Sequence, residues 1–250
     1  MDEVIESGEL KLAAHVARPR HRFGSRRPGL VLCHGFPAAS RGAGQAGSTY
    51  PELADWLSSQ AGWVVLAFNF RGAGRSEGQF SLGGWMEDLQ AAVAHLESDP
   101  DVDGVWLVGF RDGGSLAICL AGQRPEIRGV AALAARVDFD RWAADPRRFV
   151  EQARRVGVIT DPAFPPDLEA WGRDLRDLRP ITAATTIPPR PFLVVHGTDD
   201  VVVPVIETRA MADAVSGSIE FRILSGAGHH LRHDPRAVSI LLGWLERQGV

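Results

Sequence analysis

Residues Val105 to Gly114, reading V-W-L-V-G-F-R-D-G-G, pass from a β-branched apolar run straight into a glycine-punctuated turn, and Ser115 to Ala121 then read as a buried helix. Glycines at 109 and 113 let that turn tighten until the one residue at its crest, Arg111, is lifted above the end of the strand. A guanidinium stays protonated and carries donors only. Whatever chemistry the crest supports, Arg111 therefore cannot attack a carbonyl as serine, cysteine or aspartate would.

The chain has 250 residues, 45% of them hydrophobic and 23% charged, which suits one large α/β domain with a sizeable core. A net charge of −4, with basic clusters no longer than pairs such as Arg26-Arg27 and Arg147-Arg148, gives no reason to expect a nucleic-acid partner. Lys11 is the only lysine, so arginine is nearly the whole basic inventory. The stretch Met1 to Glu6 is acidic and lacks the pattern of a signal peptide, and no apolar run is long enough to span a bilayer. A cytoplasmic protein without a membrane partner is expected. Cys33 and Cys119 each lie in an apolar segment and read as reduced core residues rather than a disulfide or metal pair; no metal or cofactor motif is present.

Further strands are expected at Leu10–Val16, paired with a segment around Val4, and at Leu30–Cys33, Trp63–Phe68, Gly129–Leu133, Phe192–Gly197 and Ile219–Leu224. Between Val4 and Cys33 lies a basic loop, Pro19 to Pro28. Helices are expected at Tyr50–Gln60, Gly84–Glu97 and Pro235–Arg247. Between Asp138 and Pro191 the pattern changes: Trp142, Phe149 and Val150 fit one helix, Leu168, Trp171, Leu175 and Leu178 another, with prolines between them. His95, on an apolar helix without a partner, reads as structural. The string F-R-G-A-G-R-S-E-G at 70–78 has glycines but neither a following lysine nor a dinucleotide spacing, and is read as a turn braced by Arg71 and Ser76.

Three strings together are similar to the α/β-hydrolase superfamily, the group of serine esterases, dienelactone hydrolases and acyl-peptidases: H-G-F-P at 34–37 after an apolar strand and before a Gly/Ser-rich loop at 38–48, H-G-T-D-D-V-V-V-P at 196–204, and S-G-A-G-H-H at 225–230. The resemblance covers nearly the whole chain. It implies a mostly parallel, doubly wound eight-stranded sheet flanked by helices, with a small helical cap over 138–190 that roofs the site within a single domain of residues 1–250. Its tryptophans and phenylalanines either line a pocket or hold the cap to the sheet, core packing being the default for each. The resemblance also implies a carboxylate at Asp200, with Asp199 as the alternative, and a histidine at His229 rather than His230 or His233. The oxyanion donors would be the backbone N–H groups of Phe36 and Asp112. The crest Gly109-Phe110-Arg111-Asp112-Gly113 departs from the family at the seat of the nucleophile.

Four readings stay open. In the first, serine-type hydrolysis is lost and Arg111 pairs with a carboxylate or a bound anion, so that the partner is a small molecule. In the second, His229 and Asp200 activate water directly, giving weak ester or acyl hydrolysis. The third makes Asp112 the nucleophile, at the cost of Phe110 in a seat that wants a small residue; Ser115 fits a similar string but lies one turn into the helix. In the fourth, the chain is a variant of an active serine esterase.

Overall fold

Eight strands form one sheet in a computed structural model that describes residues 2–19, 26–38, 42–215 and 219–248. In chain order they are β1 (Asp2–Ser7), β2 (Leu10–Ala17), β3 (Arg27–Cys33), β4 (Val64–Phe68), β5 (Val102–Phe110), β6 (Gly129–Leu133), β7 (Phe192–Gly197) and β8 (Glu220–Leu224). Their order across the sheet is β1-β2-β4-β3-β5-β6-β7-β8. β1 pairs antiparallel with β2 and β2 with β4, and every pairing from β4 through β8 is parallel. Parts of the expected loops 19–28 and 38–48 lie outside the described residues.

The parallel strands are buried on both faces, which is why β3, β4 and β7 read as continuous apolar runs rather than as alternation. Leu30 and Leu32 of β3 enter a core shared with α1 (Tyr50–Ala61) and α9 (Pro235–Gln248), through Leu53, Leu57, Leu241 and Trp244. Val31 and Cys33 enter the opposite core, with Leu89 and Val93 of α2 (Leu82–Glu97) and Leu116 and Leu120 of α3 (Asp112–Gln123). Cys33 and Cys119 both lie in that second core.

The segment between β6 and β7 holds α4 (Asp140–Ala143), α5 (Pro146–Val156), α6 (Leu168–Asp177) and α7 (Pro180–Ala184). Trp142 and Phe149, expected in one helix, fall in two. Pro146 lacks the N–H that would continue α4, and the Asp145 side chain accepts from Arg148 N–H to start α5 afresh. Leu178 ends α6 as its C-cap. The aromatic residues of the segment pack inward: Trp142 stacks on Phe149 at 4.1 Å, and both approach Phe36, at 5.4 and 5.3 Å. They hold the segment to the sheet. α8 (Val205–Ala214) has so weak an apolar stripe that its sequence gives little sign of it.

His95 meets Glu3 Oε2 at 2.9 Å. Arg71 Nε donates to Asp88 Oδ1 at 3.0 Å and Ser76 Oγ to Asn69 O at 2.6 Å, which braces the turn after β4. No helix among the described residues is long and apolar enough to cross a membrane.

Candidate active site

The turn from β5 into α3 is as tight as its glycines suggest. A Cβ on Gly109 would stand 2.3 Å from Gly113 O, and one on Gly113 would stand 2.3 Å from His34 O. Between them Arg111 takes φ 58° and ψ −127°, a strained conformation for a residue with a side chain. It is held there by Arg111 N–H donating to Leu133 O at 2.7 Å, while Arg111 O accepts from Gly114 N–H at 2.9 Å. Gly35, after β3, must be glycine for the same reason: a Cβ there would lie 2.7 Å from Arg111 Cβ.

Arg111, His229 and Asp200 meet at the crest. Arg111 Nε–H donates to His229 Nε2 at 2.9 Å, and one Nη2–H donates to Phe36 O at 2.7 Å. Because a guanidinium only donates, His229 Nε2 must be the accepting nitrogen and the ring proton sits on Nδ1, which donates to Asp200 Oδ2 at 2.8 Å. The crest arginine thus partners an imidazole nitrogen and a carbonyl, where a carboxylate or anion was expected. Asp200 Oδ1 accepts from the N–H groups of Val202 and Val203, each at 2.9 Å, while Asp199 instead accepts from its neighbour Thr198. Burial raises the pKa of Asp200, yet hydrogen bonds from His196 and His229 outweigh it and leave the carboxyl far below its ordinary range.

His196 and Thr208 were not anticipated. His196 Nε2–H donates to Val203 O at 2.8 Å and lies 3.2 Å from Asp200 Oδ2, and the Thr208 hydroxyl donates to His196 Nδ1 at 2.8 Å. The signal was present, since His196 opens the H-G-T-D-D string, but that string drew attention only to its carboxylates. His34 is buried and neutral in role: Phe70 N–H donates to its Nε2 at 3.2 Å, and burial together with the Arg111 charge pulls its pKa down to about 4.

The expected oxyanion cradle is altered. Phe36 N–H donates to the Asp112 side chain, at 3.0 Å from Oδ2, so the amide expected to meet an oxyanion is already taken. The other oxygen of Asp112 accepts from Arg136 Nε at 2.6 Å, and the Arg136 guanidinium lies 4.9 Å over the ring of Trp142. Burial raises the pKa of Asp112, but the charges of Arg136 and Arg111 prevail and hold it ionised below its ordinary value. Its carboxylate is 1% exposed and gripped on both oxygens, a poor seat for a nucleophile. Ser115 exchanges hydrogen bonds with the backbone of Arg136, at 3.0 and 2.9 Å, and does not face the crest. No group of three or more His, Cys, Asp or Glu side chains able to hold a metal ion occurs among the described residues.

A cavity of about 450 Å3 opens beside Arg111 and His229. Its described walls come from the β3–α1 connection and from the turn 229–233, with Phe110 and Leu133, and none from residues 138–190. The segment expected to roof the site therefore does not line this cavity, because its aromatic side chains are spent on the packing around Phe36. His230 also lines the cavity, with its ring 5.8 Å from that of His229, and His233 Nδ1 is 3.4 Å from Arg232 Nη1.

The esterase LipC of Mycobacterium tuberculosis is 30% identical over 196 residues, 67% of this chain and 45% of that protein. The chain spans about half the length of the curated relatives it matches first, 45% and 60%. Among solved structures, the α/β hydrolase GrgF from a Penicillium species superposes with a TM-score of 0.75 at 19% identity, covering 100% of this chain and 98% of that one. Est1E from Butyrivibrio proteoclasticus, solved with ferulic acid bound, gives a TM-score of 0.72 at 19% identity over 98% and 97% of the two chains. Residues 25–163 match the family model described as serine aminopeptidase, S33. With that match over more than half its length and the sheet order above, the chain belongs to the serine aminopeptidase S33 family of α/β hydrolases.

Proposed function

We propose that this chain is an α/β-hydrolase-fold protein that has given up serine-type hydrolysis and uses the site at the crest to bind a small anionic molecule. One observation carries the reading: the Arg111 guanidinium donates to His229 Nε2 at 2.9 Å. In a working triad that nitrogen takes the proton of the nucleophile. Here it is occupied by a group that has no lone pair to attack with and no proton to give up at ordinary pH.

The same contact weighs against water activation by His229 and Asp200, since an attacking water would need the Nε2 lone pair that Arg111 holds. A relative named as an esterase, and a neighbour solved with ferulic acid bound, support a ligand of ester or carboxylate size. Arg111, His229 and Asp200 are, on this reading, binding and positioning groups.

The test is a panel of p-nitrophenyl esters together with a fluorophosphonate label. The expected result is turnover no faster than the buffer blank and no labelled residue. A burst of acyl-enzyme, or a label mapped to any side chain at the crest, overturns the reading.

A further inference from the structure

The cavity beside Arg111 has a charge character opposite to that of the chain. The protein carries a net charge of −4, yet no aspartate or glutamate is among the described residues lining this cavity. Arg111 and Arg232 contribute permanent positive charge, and His229, His230 and His233 line it as well. The Arg232 guanidinium lies 5.3 Å over the Tyr50 ring at one wall and donates to Thr49 O. Ala38, Ala46 and the edge of Tyr50 supply apolar surface between these charges, while Phe110, Leu133 and Leu231 are all but fully buried.

Two further observations narrow the ligand. First, the Phe36 amide is taken by the Asp112 carboxylate, which also places a negative charge at the first turn of α3. An incoming anion therefore loses the Phe36 amide and meets a helix N-terminus that already carries a carboxylate, which disfavours the doubly charged phosphate. Second, Arg111 uses Nε–H and one Nη2–H on His229 and Phe36, out of five N–H donors, and its planar fork suits a carboxylate. The volume, about 450 Å3, falls in the range of small-molecule pockets and far exceeds what a lone acetate fills.

Resting on the reading that the crest binds rather than hydrolyses, we infer that this cavity takes an amphipathic monocarboxylate, its carboxylate on the Arg111 guanidinium and its apolar body along Tyr50, Ala46 and Ala38. Asp112 favours this orientation by taking one of the two cradle donors, the Phe36 amide, away from the ligand's oxygens. The charged head goes to the arginine.

Isothermal titration calorimetry on the full chain tests this, with hexanoate, benzoate and cinnamate compared with acetate, inorganic phosphate, and the amide and methyl ester of each acid. The larger acids should bind at least roughly tenfold more tightly than their own amides and esters, and more tightly than acetate or phosphate. Arg111→Gln should erase the preference of acid over amide. Arg111→Lys, which keeps the charge and loses the fork, should fall between. The acid and amide pairs need no variant, so a misfolded variant leaves the comparison intact. Amides binding as well as acids, phosphate outbinding every carboxylate, or no heat from any acid would each overturn the inference. These outcomes are separate from ester turnover, which tests only the loss of hydrolysis.

Discussion

Replacing Arg111 with serine should not by itself give ester hydrolysis, because Asp112 stands in the way as well. The substitution frees His229 Nε2 and puts a hydroxyl at the crest, with Asp200 still 2.8 Å from His229 Nδ1. It leaves the Phe36 amide donating to Asp112 Oδ2 at 3.0 Å. Losing one oxyanion donor costs about 10²–10³ in kcat in serine hydrolysis, or roughly 3–4 kcal/mol. Here the donor is not merely lost but bonded to an anion, which would face the developing negative charge. Removing Asp112 alone would strand Arg136, whose side chain is 13% exposed, at a cost of about 3–5 kcal/mol of stability. Exchanging both charges for apolar groups of similar size is usually far gentler. The comparison is therefore Arg111→Ser against the triple variant Arg111→Ser, Asp112→Ala, Arg136→Met. Turnover of p-nitrophenyl butyrate and the rate of fluorophosphonate labelling are the readouts, with folding followed by circular dichroism melts. The triple variant should turn over at least about a hundredfold faster than Arg111→Ser. Equal rates from the two, with both folded, would refute the claim that Asp112 closes the cradle.

Three other outcomes follow from the geometry. Burial holds His34 neutral with its pKa near 4 against an ordinary 6.5, so the unfolded chain binds a proton between those values that the folded chain does not; stability should fall by about 3 kcal/mol as pH drops from 6.5 to 4, and denaturant melts of His34→Gln should show a shallower slope there. Asp200, depressed in the folded state, should contribute stability above its unfolded pKa of about 3.9 that fades as pH falls below it; Asp200→Ala should cost about 3 kcal/mol at neutral pH in thermal melts, with little cost implying that His196 and His229 find other partners. Gly109→Ala drives a Cβ to 2.3 Å from Gly113 O and should cost more than about 3 kcal/mol, whereas Gly226→Ala, with φ 73° but nothing within 4 Å, should cost about 1 kcal/mol; a loss at Gly109 no larger than at Gly226 would show that the turn relaxes to admit the Cβ.

Strand and helix positions were legible along most of the chain because parallel strands buried on both faces leave unbroken apolar runs, and glycines mark where they end. The crest was legible too, since Gly109 and Gly113 fix its sharpness, and a guanidinium at residue 111 offers donors only. Local chemistry of that kind is written one residue at a time. What the side chains at the crest do to one another was not legible. That Asp112 bends back onto the Phe36 amide depends on β3 lying beside β5, 76 residues away in sequence. That Arg136 balances it depends on the exit from β6. The opposite fates of Trp142 and Leu231, one in the packing around Phe36 and the other on the wall of a cavity lined with positive charge, are equally tertiary. Hydrogen-bond partners and the sign of a cavity's charge are set by distances between segments, and a sequence carries those distances only through the fold.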